Sequence, residues 1–384
     1  MKALAVLPPD RWMQINLVET LERYYCKSLQ IFHYPSGMGE LGCKEWRARR
    51  DRMNLDLITL ARRLKSAGQL DFIFLIVYDD FLLVDTAKAL QALGAPMVNY
   101  HIDMVFQWHR VIRTAPYFTA LAVAQLANVE HLRPYASRIE SMPMAANPDF
   151  YRAIESIQGG YRHEVSFVGS FDPYRRAFLA ECVKNGVRPA VYGKGWDNPG
   201  MNQYRFPWDL YKIAHDLRYY GWPRLRAEGP AWISRALSRK LARNHRFEPL
   251  NGVDVAGPCT DEEMPRIFRS SRINLGFSDT GWHNKNEVMH SGMRQCRLRD
   301  FEVPMAGGFY LTQEVPDHHE YYKVGQEIET WSEPRELAEK IAFYTRNTKA
   351  AERIRGAGAK RALESHTWRH RFDHLFKTLG IGAS

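Results

Sequence analysis

The chain has 384 residues, of which 45% are hydrophobic and 25% charged, so it is long enough for two domains with separate cores, and disorder is not indicated. The formal net charge of +10 indicates an anionic partner, whether a nucleotide, an anionic lipid surface or nucleic acid. The five cysteines are scattered and include no Cys-x-x-Cys pair, which suits a reducing compartment and argues against structural zinc.

No segment of the sequence predicts a membrane span. The most apolar stretch, residues 71–84, is interrupted by Asp79 and Asp80, and the apolar run at the N-terminus is too short for a signal peptide. We therefore expect a cytoplasmic protein, either free or peripheral to the inner face of the membrane.

The first 155 residues alternate short apolar runs with longer amphipathic ones. The candidate strands are residues 3–7, 29–34, 72–77, 96–100, 121–124 and 139–142, and the candidate helices are residues 14–27, 45–67 and 84–93. Strands that alternate with helices predict a parallel, doubly wound α/β sheet, which is a Rossmann-like domain over residues 1–155.

Polar residues follow two of these strands, at the sheet edge where such domains bind ligands. His101 and Asp103 follow the strand at 96–100, where either could lie near a reacting group and Asp103 could act as a general base. Alternatively, Asp103 caps the next helix and His101 is an internal, hydrogen-bonded histidine. Asp79 and Asp80 lack the Asp-x-Asp spacing of a metal-binding pair, so we predict no metal there.

A second sheet is predicted to begin after a polar linker. The strand at 164–170 ends in Gly169 and Ser170 and leads into a helix over residues 172–185. A strand that ends in Gly-Ser before a helix presents backbone amides and the positive end of the helix dipole to a phosphate, and Arg175 could complete the clamp.

Residues 201–250 interrupt this pattern and form a predicted insertion in the second domain. The segment contains ten lysines and arginines but only four acidic residues, with tryptophans and tyrosines interleaved. That composition suits a membrane surface, a polyanionic glycan or nucleic acid. Alternatively, the segment is a solvated helical pair whose aromatic rings pack on the domain.

The stretch 299–312 predicts a short helix, a two-glycine break and a buried strand. Glu302 could accept two hydrogen bonds from a vicinal diol such as a ribose, and Arg299 could meet a phosphate or orient Glu302. Gly307 and Gly308 would let a ligand approach the backbone. Alternatively, Glu302 only favours the helix N-terminus and Arg299 pairs with Asp300 on the surface.

The segment from about 271 to 371 resembles the C-terminal domain of CgeB/YkvP-type glycosyltransferases. The resemblance rests on Arg-x-Phe-Glu at 299–302, Ala-Gly-Gly at 306–308 and Ser-His-Thr-Trp-x-x-Arg at 365–371. Those enzymes are GT-B proteins related to the GT4-type glycosyltransferases. The resemblance implies two Rossmann-like domains that face a cleft, the second over residues 163–365, and a final helix over 366–384 that crosses back to the first.

The resemblance also implies a function. The protein would transfer a sugar from a nucleotide-diphosphate sugar to a glycan, a lipid-linked acceptor or a surface polysaccharide precursor, with no metal and no other cofactor. The residues implied are Glu302 for the ribose, Arg299 and Arg175 for the diphosphate with Gly169 and Ser170, Tyr192 and Gly193 for the base, Gly307 and Gly308 beside the donor, and His101 or Asp103 near the reacting sugar.

One position departs from the wider family. The residue eight before Glu302 is Arg294, where that family carries the first glutamate of a Glu-x7-Glu pair. The missing glutamate leaves open the alternative of a glycan- or surface-binding protein without catalysis. The basic charge and the insertion favour a second alternative, a glycosyltransferase that modifies a DNA base.

Overall fold

The computed structural model describes residues 1–34, 41–102, 105–152, 160–197, 209–242, 248–278, 282–283, 288–289 and 294–381. The chain divides into two compact units. The first comprises Met1–Pro143, Arg205–Ala236 and Trp368–Ser384, and the second comprises Met144–Tyr204 and Leu237–Thr367.

The described residues of the first unit form a six-stranded parallel sheet. Its strands are β1 (Lys2–Leu7), β2 (Ser28–His33), β3 (Phe72–Leu75), β4 (Met97–His101), β5 (Ala120–Val123) and β6 (Ile139–Ser141). Their order is β2-β1-β3-β4-β5-β6. The predicted Rossmann-like sheet is therefore confirmed, with each predicted strand present to within two residues at either end.

The described residues of the second unit form another six-stranded parallel sheet and a small antiparallel pair. The strands are β7 (His163–Val168), β8 (Ala190–Tyr192), β9 (Asp254–Gly257), β10 (Ser271–Gly276), β11 (Trp282–His283), β12 (Val288–Met289), β13 (Tyr310–Gln313) and β14 (Glu329–Trp331). The sheet order is β14-β13-β10-β7-β8-β9, and β11 pairs with β12. The three-residue strand β14 was not predicted.

Helices flank both sheets. They are α1 (Arg11–Met13), α2 (Glu19–Tyr24), α3 (Lys44–Ser66), α4 (Val84–Gln91), α5 (Asn128–Leu132), α6 (Pro148–Tyr151), α7 (Pro173–Lys184), α8 (Leu210–Asp216), α9 (Trp222–Glu228), α10 (Ala231–Ala242), α11 (Met264–Ser270), α12 (Arg299–Met305), α13 (His318–Tyr321), α14 (Pro334–Arg346), α15 (Thr348–Ser365) and α16 (Trp368–Leu379). The π-helical segments Gln14–Val18 and Leu217–Gly221 join α1 to α2 and α8 to α9, and Val105–Val111 and Ala115–Tyr117 are 3-10 turns. In the described part of the chain, no helix is both long and apolar enough to cross a bilayer.

The alternation of side chains along the strands places a core on each face of each sheet. In β3, Ile73 and Leu75 join the cluster that α3 and α4 cover. Phe72 and Phe74 point to the other face, where their rings meet Phe376 and Phe372 of α16 at 5.3 and 5.5 Å. The final helix thus packs on the first unit, as the resemblance implies.

The second sheet is covered in the same way. Ile273 and Leu275 of β10 lie in the cluster with α7 and α14, whereas Val168 of β7 and Tyr310 of β13 lie in the cluster with α11 and α12. Because both faces are buried, the strands read as nearly continuous apolar runs, as in parallel sheets generally.

The basic and aromatic segment is placed differently from the prediction. Residues 205–236 group with the first unit rather than with the second domain. The reason is packing of aromatic side chains: the Tyr220 hydroxyl donates to Asp80 Oδ2 at 2.7 Å, and the His215 ring lies 5.2 Å from that of Trp46. Chain order alone does not reveal which unit such rings pack against.

Candidate functional site

The second sheet reverses its order between β7 and β10. From β7 the chain builds outward through β8 and β9, and then returns to place β10 on the other side of β7. In doubly wound sheets the crevice beyond the carboxyl ends of such a strand pair is where ligands bind. The segments that follow β7 and β10 therefore define the candidate site of this unit.

Three arginines gather at this point. Arg175 lies in the first turn of α7, after β7, and its Nη1 donates to the Ser170 carbonyl at 2.9 Å. Arg299 is the first residue of α12 and Arg297 lies just before that helix, with its Nη2 3.5 Å from the Ser278 carbonyl beyond β10. Burial, and then the charge of Arg175, lower the pKa of Arg297 to about 10.

These guanidinium groups are only partly satisfied by the protein. Among the described residues, the Nε atoms of Arg297 and Arg299 are buried without a hydrogen-bond partner. Like charges held together in a partly buried place are costly unless an anion joins them, and planar guanidinium groups match phosphate oxygens. The arrangement is that of an anion site. The prediction included Arg175 and Arg299 but missed Arg297, which belongs to no recognisable motif.

Glu302 is fully buried in the first turn of α12. One carboxylate oxygen accepts from the Tyr151 hydroxyl of α6 and the other from Arg299 Nη1. Arg299 also lies over the Phe268 ring, 5.6 Å from its centroid. Glu302 and Arg299 therefore hold each other in place, whereas the prediction had Arg299 orienting Glu302. Among the described residues, Arg299 does not pair with Asp300, which is buried.

Asp300 is instead the centre of a buried network. Its Oδ1 accepts from the Tyr310 hydroxyl at 2.7 Å, and its Oδ2 accepts from the Arg297 amide at 2.7 Å. His318 Nε2 lies 3.2 Å from the same Oδ2. The network fixes the backbone just before α12 and thereby holds Arg297 and Arg299 at the site.

Cys296, Asp300 and His318 form the one group of potential metal ligands found in the described ranges, with ligand atoms within 4.8 Å of one another. The hydrogen bonds explain this proximity. His318 Nδ1 accepts the Val315 amide at 3.2 Å, so Nε2 carries the proton that faces Asp300 and neither nitrogen offers a lone pair. These residues fit a hydrogen-bond network better than a metal site.

The backbone amides of the glycines that follow β7 and β8 donate hydrogen bonds to neighbouring strands of the sheet. The Gly169 amide donates to the Tyr192 carbonyl at 2.8 Å, and the Gly193 amide donates to the Gly257 carbonyl at 2.9 Å. A side chain at Gly193 would collide with the Gly169 carbonyl. These two amides are thus not free for a phosphate, and Ser170 contributes its carbonyl as the anchor of Arg175.

Tyr192 does not present its hydroxyl at the carboxyl edge. It is largely buried, and its hydroxyl lies 2.8 Å from His163 Nε2 at the start of β7. The backbone of Tyr192 lies next to the predicted base-binding loop, but its side chain packs in the core.

Gly307 and Gly308 lie at the opposite edge of the sheet from the arginines. The helix α12 begins at the carboxyl edge and runs back, so the residues after it precede β13. Gly307 has a left-handed backbone, with φ of +78°, and ends the helix. A Cβ at Gly308 would lie 2.8 Å from Val303 Cγ1 and 2.9 Å from Asn274 Nδ2. Helix termination and close packing explain both glycines, and the structure does not bring them to the anion site.

In the first unit, His101 ends β4 and is fully buried. Its ring lies 6.1 Å from that of Tyr78, and neither ring nitrogen has a hydrogen-bond partner among the residues that the structure describes. Burial, and then the charge of Arg110, lower the pKa of His101 to about 3. The ring is thus neutral near pH 7 and a weak base, suited to hydrogen bonding rather than to proton abstraction. Asp103 lies outside the described residues.

The pKa of His101 predicts how stability depends on pH. The unfolded chain takes up a proton at about pH 6.5, whereas the folded ring resists it down to about 3, so stability falls as the pH drops below 6.5. Relative to His101→Gln, wild type should lose about 2 kcal/mol of unfolding free energy between pH 6.5 and 5. Urea titrations at both values measure it, and parallel losses in the two proteins would contradict the prediction.

Asp79 and Asp80, at the same edge, are engaged by protein donors. Asp79 accepts from Thr114 Oγ1 at 2.7 Å and from the Arg113 amide at 2.8 Å. Asp80 accepts from Tyr220. Both act as internal acceptors that tie loops to the end of β3.

Residues 175–377, more than half of the chain, match the family model described as glycosyl transferase-like. The matched range contains Arg175, Arg297, Arg299 and Glu302. No curated protein matches the sequence.

Several solved structures share the fold. HepE from Anabaena, solved with UDP and glucose, has 13% identity and a TM-score of 0.59, with 99% of each chain covered. Sucrose-phosphate synthase from Thermosynechococcus elongatus has 10% identity and a TM-score of 0.58 over all of both chains. A glycosyltransferase from Rickettsia africae has 9% identity and a TM-score of 0.55, with 98% of this chain and 97% of that chain covered.

At such identities the likeness establishes the fold, which is the predicted GT-B fold with two Rossmann-like units. The family model adds a sequence match that spans the arginine site. The chain belongs to the glycosyl transferase-like family.

Proposed function

We propose that the protein is a CgeB/YkvP-type glycosyltransferase that transfers a hexose or related sugar from a nucleotide-diphosphate sugar to an acceptor. The observation that carries the proposal is the arginine cluster of Arg175, Arg297 and Arg299 beyond the carboxyl ends of β7 and β10. Three guanidinium groups from two elements suit a diphosphate, which carries several negative charges within a few ångströms.

The cluster also suggests how the chemistry proceeds. As the bond between the sugar and the diphosphate breaks, negative charge grows on the leaving oxygen. Preorganised cations stabilise that charge more than they stabilise the intact donor, which lowers the barrier. We propose that these arginines supply the positive charge needed and that no metal takes part.

Glu302 is the proposed ribose contact. Each of its oxygens has a second lone pair beyond those that receive Tyr151 and Arg299. Because the carboxylate is fully buried, we propose that a ribose diol reaches it by taking the place of the Tyr151 hydroxyl. The neighbouring loop at Gly193 stays a candidate contact for the base.

The acceptor is proposed to bind the first unit. His101, with two unpartnered nitrogens among the described residues, and Asp103 are the candidates near the reacting sugar. A glycan, a lipid-linked sugar or a polysaccharide precursor would offer the attacking hydroxyl. We further propose a cytoplasmic location and contact with an anionic partner through residues 201–250.

A thermal-shift panel of nucleotide-sugars and their free diphosphates, with and without a chelator, tests this function. UDP and UDP-glucose come first, because HepE was solved with each. One nucleotide series should raise the melting temperature by the same amount with and without the chelator. At a ligand concentration a hundredfold above Kd, the expected stabilisation is about 2.7 kcal/mol. No shift with any nucleotide contradicts the donor site, and a shift lost on chelation contradicts metal independence.

Turnover separates catalysis from binding. Slow hydrolysis of the bound nucleotide-sugar to free sugar and nucleoside diphosphate is the expected result. Donor binding without any hydrolysis would favour a binding protein, for which Arg294 in place of a family glutamate is the relevant feature.

A further inference from the structure

The helical run from α8 through the π-segment to α9 has two contrasting faces. His215 and Tyr219 are buried on its inner side, and the Tyr220 hydroxyl donates to Asp80. These contacts hold the run against the first unit. Packing therefore accounts for the aromatic side chains on the inner side of the run.

The outer face is apolar where solvent would favour polar residues. Leu210, Leu217 and Trp222 are 78%, 61% and 63% exposed, and Ile233 on the following helix is 52% exposed. Single exposed apolar residues are ordinary, but a tryptophan and three aliphatic residues exposed along this helical run and the helix that follows it mark an interaction surface.

The cations beside these residues are not neutralised. Arg218 and Arg226 are exposed, and no carboxylate pairs with either within the described ranges. The acidic residues of the run are engaged elsewhere: Asp209 caps α8, Asp216 pairs with Lys212 at 3.5 Å, and Glu228 pairs with Arg224 at 2.8 Å. The outer face, defined as Leu210, Leu217, Arg218, Trp222 and Arg226, is thus apolar and positive.

We propose that this outer face docks on an anionic lipid surface. Exposed aliphatic side chains and a tryptophan gain free energy by entering the boundary between head groups and acyl chains, while arginines meet the lipid phosphates. A hydrated glycan or a nucleic acid would satisfy the arginines but would leave Leu210 and Leu217 in water. In the sequence, residues 231–246 add five basic residues and no acidic one. The inference does not depend on the proposed donor chemistry.

Co-sedimentation with vesicles tests it. The full chain should bind vesicles of phosphatidylcholine with 30% phosphatidylglycerol and bind pure phosphatidylcholine weakly. The double variant Leu217→Gln/Trp222→Gln should lose about tenfold in partitioning. The double variant Arg218→Gln/Arg226→Gln should lose about fivefold for each arginine and show a smaller salt dependence.

Matched controls come from α14, in the second unit. Phe343→Gln removes an aromatic side chain that is 48% exposed, and Arg335→Gln removes an exposed cation, so both should partition as wild type. The proposal is overturned if the chain does not bind anionic vesicles, or if the control and test variants lose vesicle binding equally. It is also overturned if duplex DNA or an acidic polysaccharide binds instead and only the arginine variant loses that binding.

Discussion

Arg297→Met is expected to lose about 100-fold in affinity for the nucleoside diphosphate and to be more stable than wild type without ligand. In the free protein, burial and the charge of Arg175 lower the pKa of Arg297 to about 10, which means that the charged form is disfavoured there. Methionine keeps much of the apolar stem and removes the charge. Stability and binding should therefore change in opposite directions.

Isothermal titration with UDP and with inorganic pyrophosphate, together with the melting temperature of the free protein, measures both effects. Arg335→Met is the matched control, because that side chain is 91% exposed on α14 and away from the arginine cluster. Unchanged affinity in Arg297→Met would remove Arg297 from the site. A lower melting temperature would instead assign the side chain a structural role.

Glu302→Ala is expected to lower the unfolding free energy by about 3–5 kcal/mol. The change leaves the Arg299 cation without its carboxylate and the Tyr151 hydroxyl without its acceptor, both in a buried setting. Tyr151→Phe removes only one hydrogen bond and should cost about 1–2 kcal/mol. Urea unfolding of both variants provides the comparison, and a loss in Glu302→Ala no larger than in Tyr151→Phe would contradict the expectation.

The ribose contact of Glu302 has a separate test that does not depend on stability. Wild type should bind UDP more tightly than its 2′,3′-dideoxy analogue, and Glu302→Gln, which preserves the side-chain shape, should lose that preference. Tyr151→Phe should keep it, because the diol is proposed to replace the phenol. If Glu302→Gln still prefers UDP, Glu302 only orients Arg299.

The architecture could be read from the sequence because it depends on local patterns. Buried parallel strands need continuous apolar runs, and the helices between them need an apolar stripe, so both periods are visible along the chain. A local pattern of another kind stands just before α11, where the Thr260 amide is 2.7 Å from Glu263 Oε2 and the Glu263 amide is 3.2 Å from Thr260 Oγ1. Such short-range hydrogen bonds require only a spacing.

The composition of the site depended on three-dimensional contacts. Gly307 and Gly308 are close to Glu302 in sequence, yet α12 carries the chain to the other edge of the sheet before they occur. Arg297 joins Arg175 from 122 positions away, because the switch between β7 and β10 brings their loops together. Long-range contacts of this kind leave no periodic signal.

The sequence by itself determined two α/β units, which follow from the periods of strands and helices, and Glu302 and Arg299 as a pair, which follows from a short motif. The returning final helix was implied by the resemblance to GT-B proteins. Only the tertiary structure decided that Arg297 completes the arginine cluster, that Asp300 anchors it, and that residues 205–236 belong to the first unit. The physical reason is that hydrophobic burial selects sheet and helix locally, whereas the meeting of charges depends on which strand ends become neighbours.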